Sequence, residues 1–171
     1  MYQYQSIKEI SDGLKELYET RDPFYLCKQL DVKIIETNLG ENILGFFQRI
    51  LEEEIIYLNN NISSEKEREY VCFHELGHII CHPELSMCFL EKTLYIPDKY
   101  EMEADAFAAY LLIPDDIDLF EIENMTISQI SRYLKVPEKL IELRFKKHLD
   151  MQHIYFENKT NMVAESMINY L

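Results

Sequence analysis

A chain of 171 residues with 47% apolar content can build one domain with a real core and has little room for a second. Its 31 acidic and 17 basic side chains give a formal charge of −14, which repels nucleic-acid phosphates and anionic lipid unless a local basic patch offsets it. The opening MYQYQSIKEISDGLKEL lacks the basic lead and apolar run of a signal peptide, and no segment reaches the roughly 18 apolar residues of a membrane span, so a cytoplasmic protein without a membrane partner is expected.

In chain order, Ile7, Ile10, Leu14 and Leu17 recur at spacings of three and four and predict an amphipathic helix over 6–19. Asp22 followed by Pro23 predicts a capped short helix reaching Leu30. VKIIETN (32–38), NILGFFQRI (42–50) and EIIYLNN (54–60) are rich in β-branched and aromatic residues with short polar joints, and they predict a small antiparallel meander. SSEKEREYVCFHELGHIICH (63–82) returns to helical period, with a serine as N-cap and Pro83 as its stop. A connection containing YIPD leads to a second long helix from near Asp98 to Pro114. TISQISRYLKVPEKLIELRFKKHL then reads as two short helices broken at Val136 and Pro137. In the tail, HIYFEN suggests a strand and NMVAESMINYL a helix. The expected organisation is α+β: a main domain over 1–118, a helical extension over 119–149 packed on it, and a tail over 150–171. Cys27, Cys72, Cys81 and Cys88 form no CxxC pair and are expected to be buried free thiols.

The chemistry concentrates in HELGH. His74 and His78 lie four apart, so on a helix both imidazoles lean toward one point and suit two ligands of Zn²⁺. Glu75, about 100° around the axis from His74, stands beside the metal as a general base. A catalytic zinc needs a third protein ligand, and three candidates exist. His82 continues the i, i+4 series but lies a further turn along the axis, and is expected to be a partly exposed helix-terminal histidine favoured by the macrodipole. In EMEADAFAAYLL, Glu101 can ligate while Asp105, one turn on, accepts the other ring N–H of a ligand histidine. Glu103, about 160° from Asp105 around that helix, is expected to be solvated. The small Ala104, Ala106, Ala108 and Ala109 would let the two helices approach closely.

REYVCFHELGHIICH followed about twenty residues later by EMEADAFAAYLLIP resembles the ImmA/IrrE family of bacterial and phage zinc metallopeptidases, over roughly residues 30–148. The resemblance implies an α+β core with a gluzincin-like site, with His74 and His78 as zinc ligands, Glu75 as general base, Glu101 as third ligand and Asp105 at the D/N position of the motif. It also implies a helix-turn-helix-like region after the core and, as substrate, a repressor-type DNA-binding regulator of a phage or mobile element.

Three further expectations remain. EIIYLNN is the candidate edge strand for an extended peptide, with Asn59 and Asn60 offering amides. Tyr95, Tyr100 and His153 are candidates for stabilising an oxyanion. Arg132, Lys135, Lys139, Arg144, Lys146 and Lys147 alternate with Glu138, Glu142 and Asp150, so that segment is read as a packing module or substrate-docking surface rather than a DNA reader. The alternative function is a zinc-containing module that sequesters a regulator without cutting it.

Overall fold

The computed structural model describes residues 4–85, 98–123 and 125–145. The tail elements, Tyr95, His153 and Cys88 lie outside the described residues. Helix α1 (Tyr4–Tyr18) buries Ile7, partly buries Ile10 and Leu14, and leaves Leu17 exposed one residue before it ends. Helix α2 (Pro23–Gln29) starts where Asp22 accepts from the amides of Phe24 and Tyr25, as its sequence predicts.

Strands β1 (Lys33–Thr37), β2 (Gly45–Ile50) and β3 (Glu53–Asn59) follow. They form a mixed sheet in the order β1-β3-β2, not the expected antiparallel meander: β2 and β3 are a hairpin, while β1 pairs parallel to β3. Asn59 is the physical reason. Its Nδ2 donates to the carbonyls of Gly40 and Ile43, both at 2.7 Å, and so ties down the loop that carries the chain from one edge of the sheet to the other. EIIYLNN is therefore the central strand, and its adjacent Ile55 and Ile56, with Leu58, are buried as both faces of such a strand require. Asn59, 3% exposed, is part of the scaffold and is not available to a substrate.

Helix α3 (Glu65–Cys81) is capped by Ser64, whose Oγ accepts from the Glu67 amide. Residues 71–79 are all buried, because α3 packs against α2, β2, β3 and helix α4 (Asp98–Leu112). Ala104, Ala106, Ala108 and Ala109 are buried on α4 as expected. Their partner across the contact is Gly77: a Cβ there would lie 3.1 Å from Ala104 Cα and from its carbonyl oxygen. Beyond α4 come α5 (Leu119–Ile122), α6 (Ile127–Leu134) and a helical stretch over 138–145, the last two separated around Val136 and Pro137 as predicted. Leu140 and Ile141 belong to the same buried cluster as Ile7, Phe73 and Phe107. The α+β class thus holds, with a helical region after the core. Among the described residues, no helix is long and apolar enough to cross a membrane. Cys27, Cys72 and Cys81 are buried free thiols, with Cys27 and Cys72 sulfurs 3.7 Å apart.

Candidate metal centre

One helical turn separates His74 from His78 on α3, and the turn brings their Nε2 atoms to 3.1 Å. The Glu101 carboxylate arrives from the first half of α4: Oε2 lies 3.2 Å from His74 Nε2 and Oε1 lies 3.3 Å from His78 Nε2. Two ligands of a tetrahedral zinc at about 2.0–2.1 Å are about 3.3 Å apart, so three donors spaced this way can share one ion of that size. These three residues are the group of metal-binding type found among the described residues.

The partners of the ring nitrogens favour the same arrangement. His74 Nδ1–H donates to Asp105 Oδ1 at 2.9 Å, so in the neutral ring Nε2 is the nitrogen that offers its lone pair. Tyr70, one turn before His74, donates its hydroxyl to the same oxygen at 2.9 Å. His78 Nδ1 is buried without a hydrogen-bond partner among the described residues, and the His78 ring stacks on Phe47 of β2 with centroids 5.6 Å apart.

The site favours positive charge. Burial opposes protonation of His74, yet the hydrogen bonds that its ring donates to Asp105 and Glu101 push it up to about 10. Hydrogen bonds to His74 and His78 hold Glu101 well below the carboxylate range. These are two views of one interaction, a cation held by carboxylates in a poorly solvated cleft. Glu75 is 8% exposed. Burial raises its carboxyl to about 7, opposed by His74 and by the Phe47 amide, which donates to it, and aided by the charge of Glu101.

Two of the candidate ligands sit elsewhere. His82 is fully buried rather than partly exposed, because α4 covers the end of α3: its ring packs on Tyr100 at 4.6 Å and its Nε2–H donates to the Tyr100 carbonyl. Burial and the neighbouring His78 lower its pKa, so the macrodipole does not decide its charge. Glu103 is 2% exposed rather than solvated, with one oxygen 3.7 Å from His82 Nδ1. It belongs to a buried pair with His82 at the rear of the centre. Tyr100 is engaged by its ring and carbonyl with His82. Sequence reasoning missed Tyr70, Phe47 and Lys139, whose Nζ lies 2.8 Å from Asp105 Oδ2. The i, i+4 spacing of Tyr70 and His74 was a usable signal; Phe47 and Lys139 come from distant segments and had none.

β2 is a free edge of the sheet among the described residues. Since the Asn59 amide donates to the Leu44 carbonyl, antiparallel alternation turns the backbone groups of Gly45, Phe47 and Arg49 toward that edge. The Phe47 amide meets Glu75 there.

Comparison with known proteins gives a peptidase family. The peptidase M78 family, described as the IrrE N-terminal-like domain, matches residues 27–146. An immunity region protein of Bacillus phage phi105, itself of uncharacterized function, is 35% identical over 143 residues, 82% of this chain and 90% of that protein. The metallopeptidase ImmA of Bacillus subtilis strain 168 is 24% identical over 152 residues, covering 86% of this chain and 88% of that protein.

Proposed function

This chain belongs to the peptidase M78 family, and from that premise we propose that it is a zinc-dependent endopeptidase whose substrate is a repressor-type DNA-binding regulator of a phage or mobile element. The observation that carries the reading is the triangle of His74, His78 and Glu101 donors at 3.1–3.3 Å with Glu75 beside it. The two imidazoles and the Glu101 carboxylate hold the ion, and Asp105 fixes the His74 tautomer. When bound, the ion supplies Lewis-acid chemistry, polarising a peptide carbonyl and acidifying water. Glu75 takes the proton from the attacking water and returns it to the leaving amine. Its burial and its distance from bulk water keep that proton local.

An extended substrate pairs with the free edge of β2, which runs beside Glu75. This replaces the sequence expectation that EIIYLNN would be the edge. The phage context of the substrate is supported by the immunity-region name of the phi105 relative.

Glu75→Gln tests the reading directly. Elemental analysis is expected to find one zinc per chain in both forms, while fragment formation from a repressor-type DNA-binding regulator offered as substrate falls by about 10²–10⁴ in the variant. Cleavage persisting in zinc-loaded Glu75→Gln would remove the base from Glu75. A stable complex of the unsubstituted zinc protein with its regulator, without fragments, would instead favour sequestration.

A further inference from the structure

We infer that Lys139, in the helical stretch over 138–145, is a positioning residue of the metal centre that acts on His74 through Asp105. The inference rests on the ligand reading above. Asp105 is 6% exposed, and its two oxygens are divided between elements far apart in the chain. Oδ1 accepts from His74 and Tyr70 of α3, while Oδ2 meets the Lys139 ammonium at 2.8 Å. A carboxylate held by one donor can turn about its stem; held by three donors on both oxygens it has one orientation, with Oδ1 aimed at His74 Nδ1.

The lysine is itself guided to that place. Its ammonium lies 5.3 Å from the centroid of the Tyr70 ring, within range of a cation–π attraction. The next two residues, Leu140 and Ile141, are fully buried in the common core, so the seating of this helix sets where the ammonium falls. Although Lys139 is half exposed, its partner oxygen belongs to a carboxylate only 8% exposed, where water screens poorly. Among the described residues the centre carries three carboxylates, Glu75, Glu101 and Asp105. A divalent ion balances two of these negative charges and Lys139 the third.

The region after the core therefore completes the metal centre. Lifting the helical stretch over 138–145 away would withdraw the charge that orients the partner of a ligand histidine.

The test uses the full chain loaded with zinc and challenged with an excess of a chromophoric chelator. Lys139→Met is expected to release zinc about tenfold faster, the scale of effect seen when a metal ligand loses its supporting partner. Melting of the metal-free protein is expected to move by about 2 °C or less, because one half-exposed ion pair adds little to stability. In an Asp105→Asn background, adding Lys139→Met is expected to change zinc release no further, since the effect passes through that carboxylate. Unchanged zinc release in Lys139→Met would overturn the inference, as would independent, additive effects of the two substitutions. A fall in metal-free melting that accounts for the zinc loss would overturn it too, by making the role structural. If the unsubstituted chain takes up no zinc, the ligand reading falls and this inference with it.

Discussion

Among the described residues, two ionic clusters that join distant parts of the chain are built in opposite proportions. At the metal centre three carboxylates surround two imidazoles, buried or half-buried, and Lys139 is the one lysine or arginine paired with them among the described residues. At Asp115, one carboxylate gathers Lys15, Arg21 and Arg144 at 2.6–2.9 Å, with its own side chain 45% exposed. Water screens the second cluster, so its imbalance of charge costs little and its pairs contribute little each. In the first cluster His74, His78 and Asp105 are nearly buried and of the carboxylates only Glu101, at 41% side-chain exposure, opens to solvent, so its excess of negative charge suits a cation among the donors. An excess of carboxylate in a buried place indicates a ligand, whereas an excess of ammonium and guanidinium at the surface fastens α1 and the α1–α2 joint to the end of α4 and the helical stretch beyond it.

The sharpest way to break this contrast is to remove a donor. His78→Ala is expected to weaken zinc binding the most: sharing about 10–16 kcal/mol over four ligands gives about 3 kcal/mol for each, on the order of a hundredfold in affinity. Elemental analysis after dialysis against a competing chelator should fall from one zinc per chain to well below it. Retention of stoichiometric zinc would show that the donors of α3 and α4 are not what binds it.

A smaller effect is expected from Gly77→Ala, which leaves every donor in place. The added methyl would press on the Ala104 backbone, one turn from Glu101. Overpacking costs about 1–3 kcal/mol, and the better helix propensity of alanine returns about 1 kcal/mol. The net loss of about 1 kcal/mol lowers Tm by about 2–4 °C. Zinc affinity should also fall, as α4 is pushed from α3. An unchanged Tm together with unchanged affinity would mean that the close approach of the helices does not hold Glu101 in place.

The smallest effect belongs to Asp115→Asn, expected to cost about 1 kcal/mol or less and to shrink at high salt. Partial burial raises the Asp115 pKa, but Lys15, Arg144 and Arg21 together hold it below the ordinary carboxylate range. A depressed folded-state pKa contributes stability that is present above the unfolded value of about 3.9 and is lost as pH falls through the folded value. Chemical denaturation should therefore separate the two proteins near neutral pH and not in strong acid. A difference that survives in acid would assign the effect to packing.

Much of the site could be read from local spacing. The HELGH turn juxtaposes two imidazoles on any α-helix, and a glutamate followed four residues later by an aspartate presents both on one face of the next. The errors have a common origin. EIIYLNN was expected at an edge although its run of consecutive apolar residues fits a strand covered on both faces, and strand order depends on where the loop after β1 is tied. His82 and Glu103 were expected near water because each is polar and lies off the ligand face of its helix. Burial of the pair follows from α4 crossing the end of α3, which no window of either helix contains.

The chain itself determined which groups could bind an ion and which carboxylate could move a proton, because helical geometry relates residues three and four apart wherever a helix forms. Only the tertiary structure decided that Glu101 closes the triangle, that β2 provides the free edge, and that Lys139 reaches Asp105 from the far end of the fold. Such contacts depend on the packing of elements remote in sequence, and packing is settled by the whole core at once.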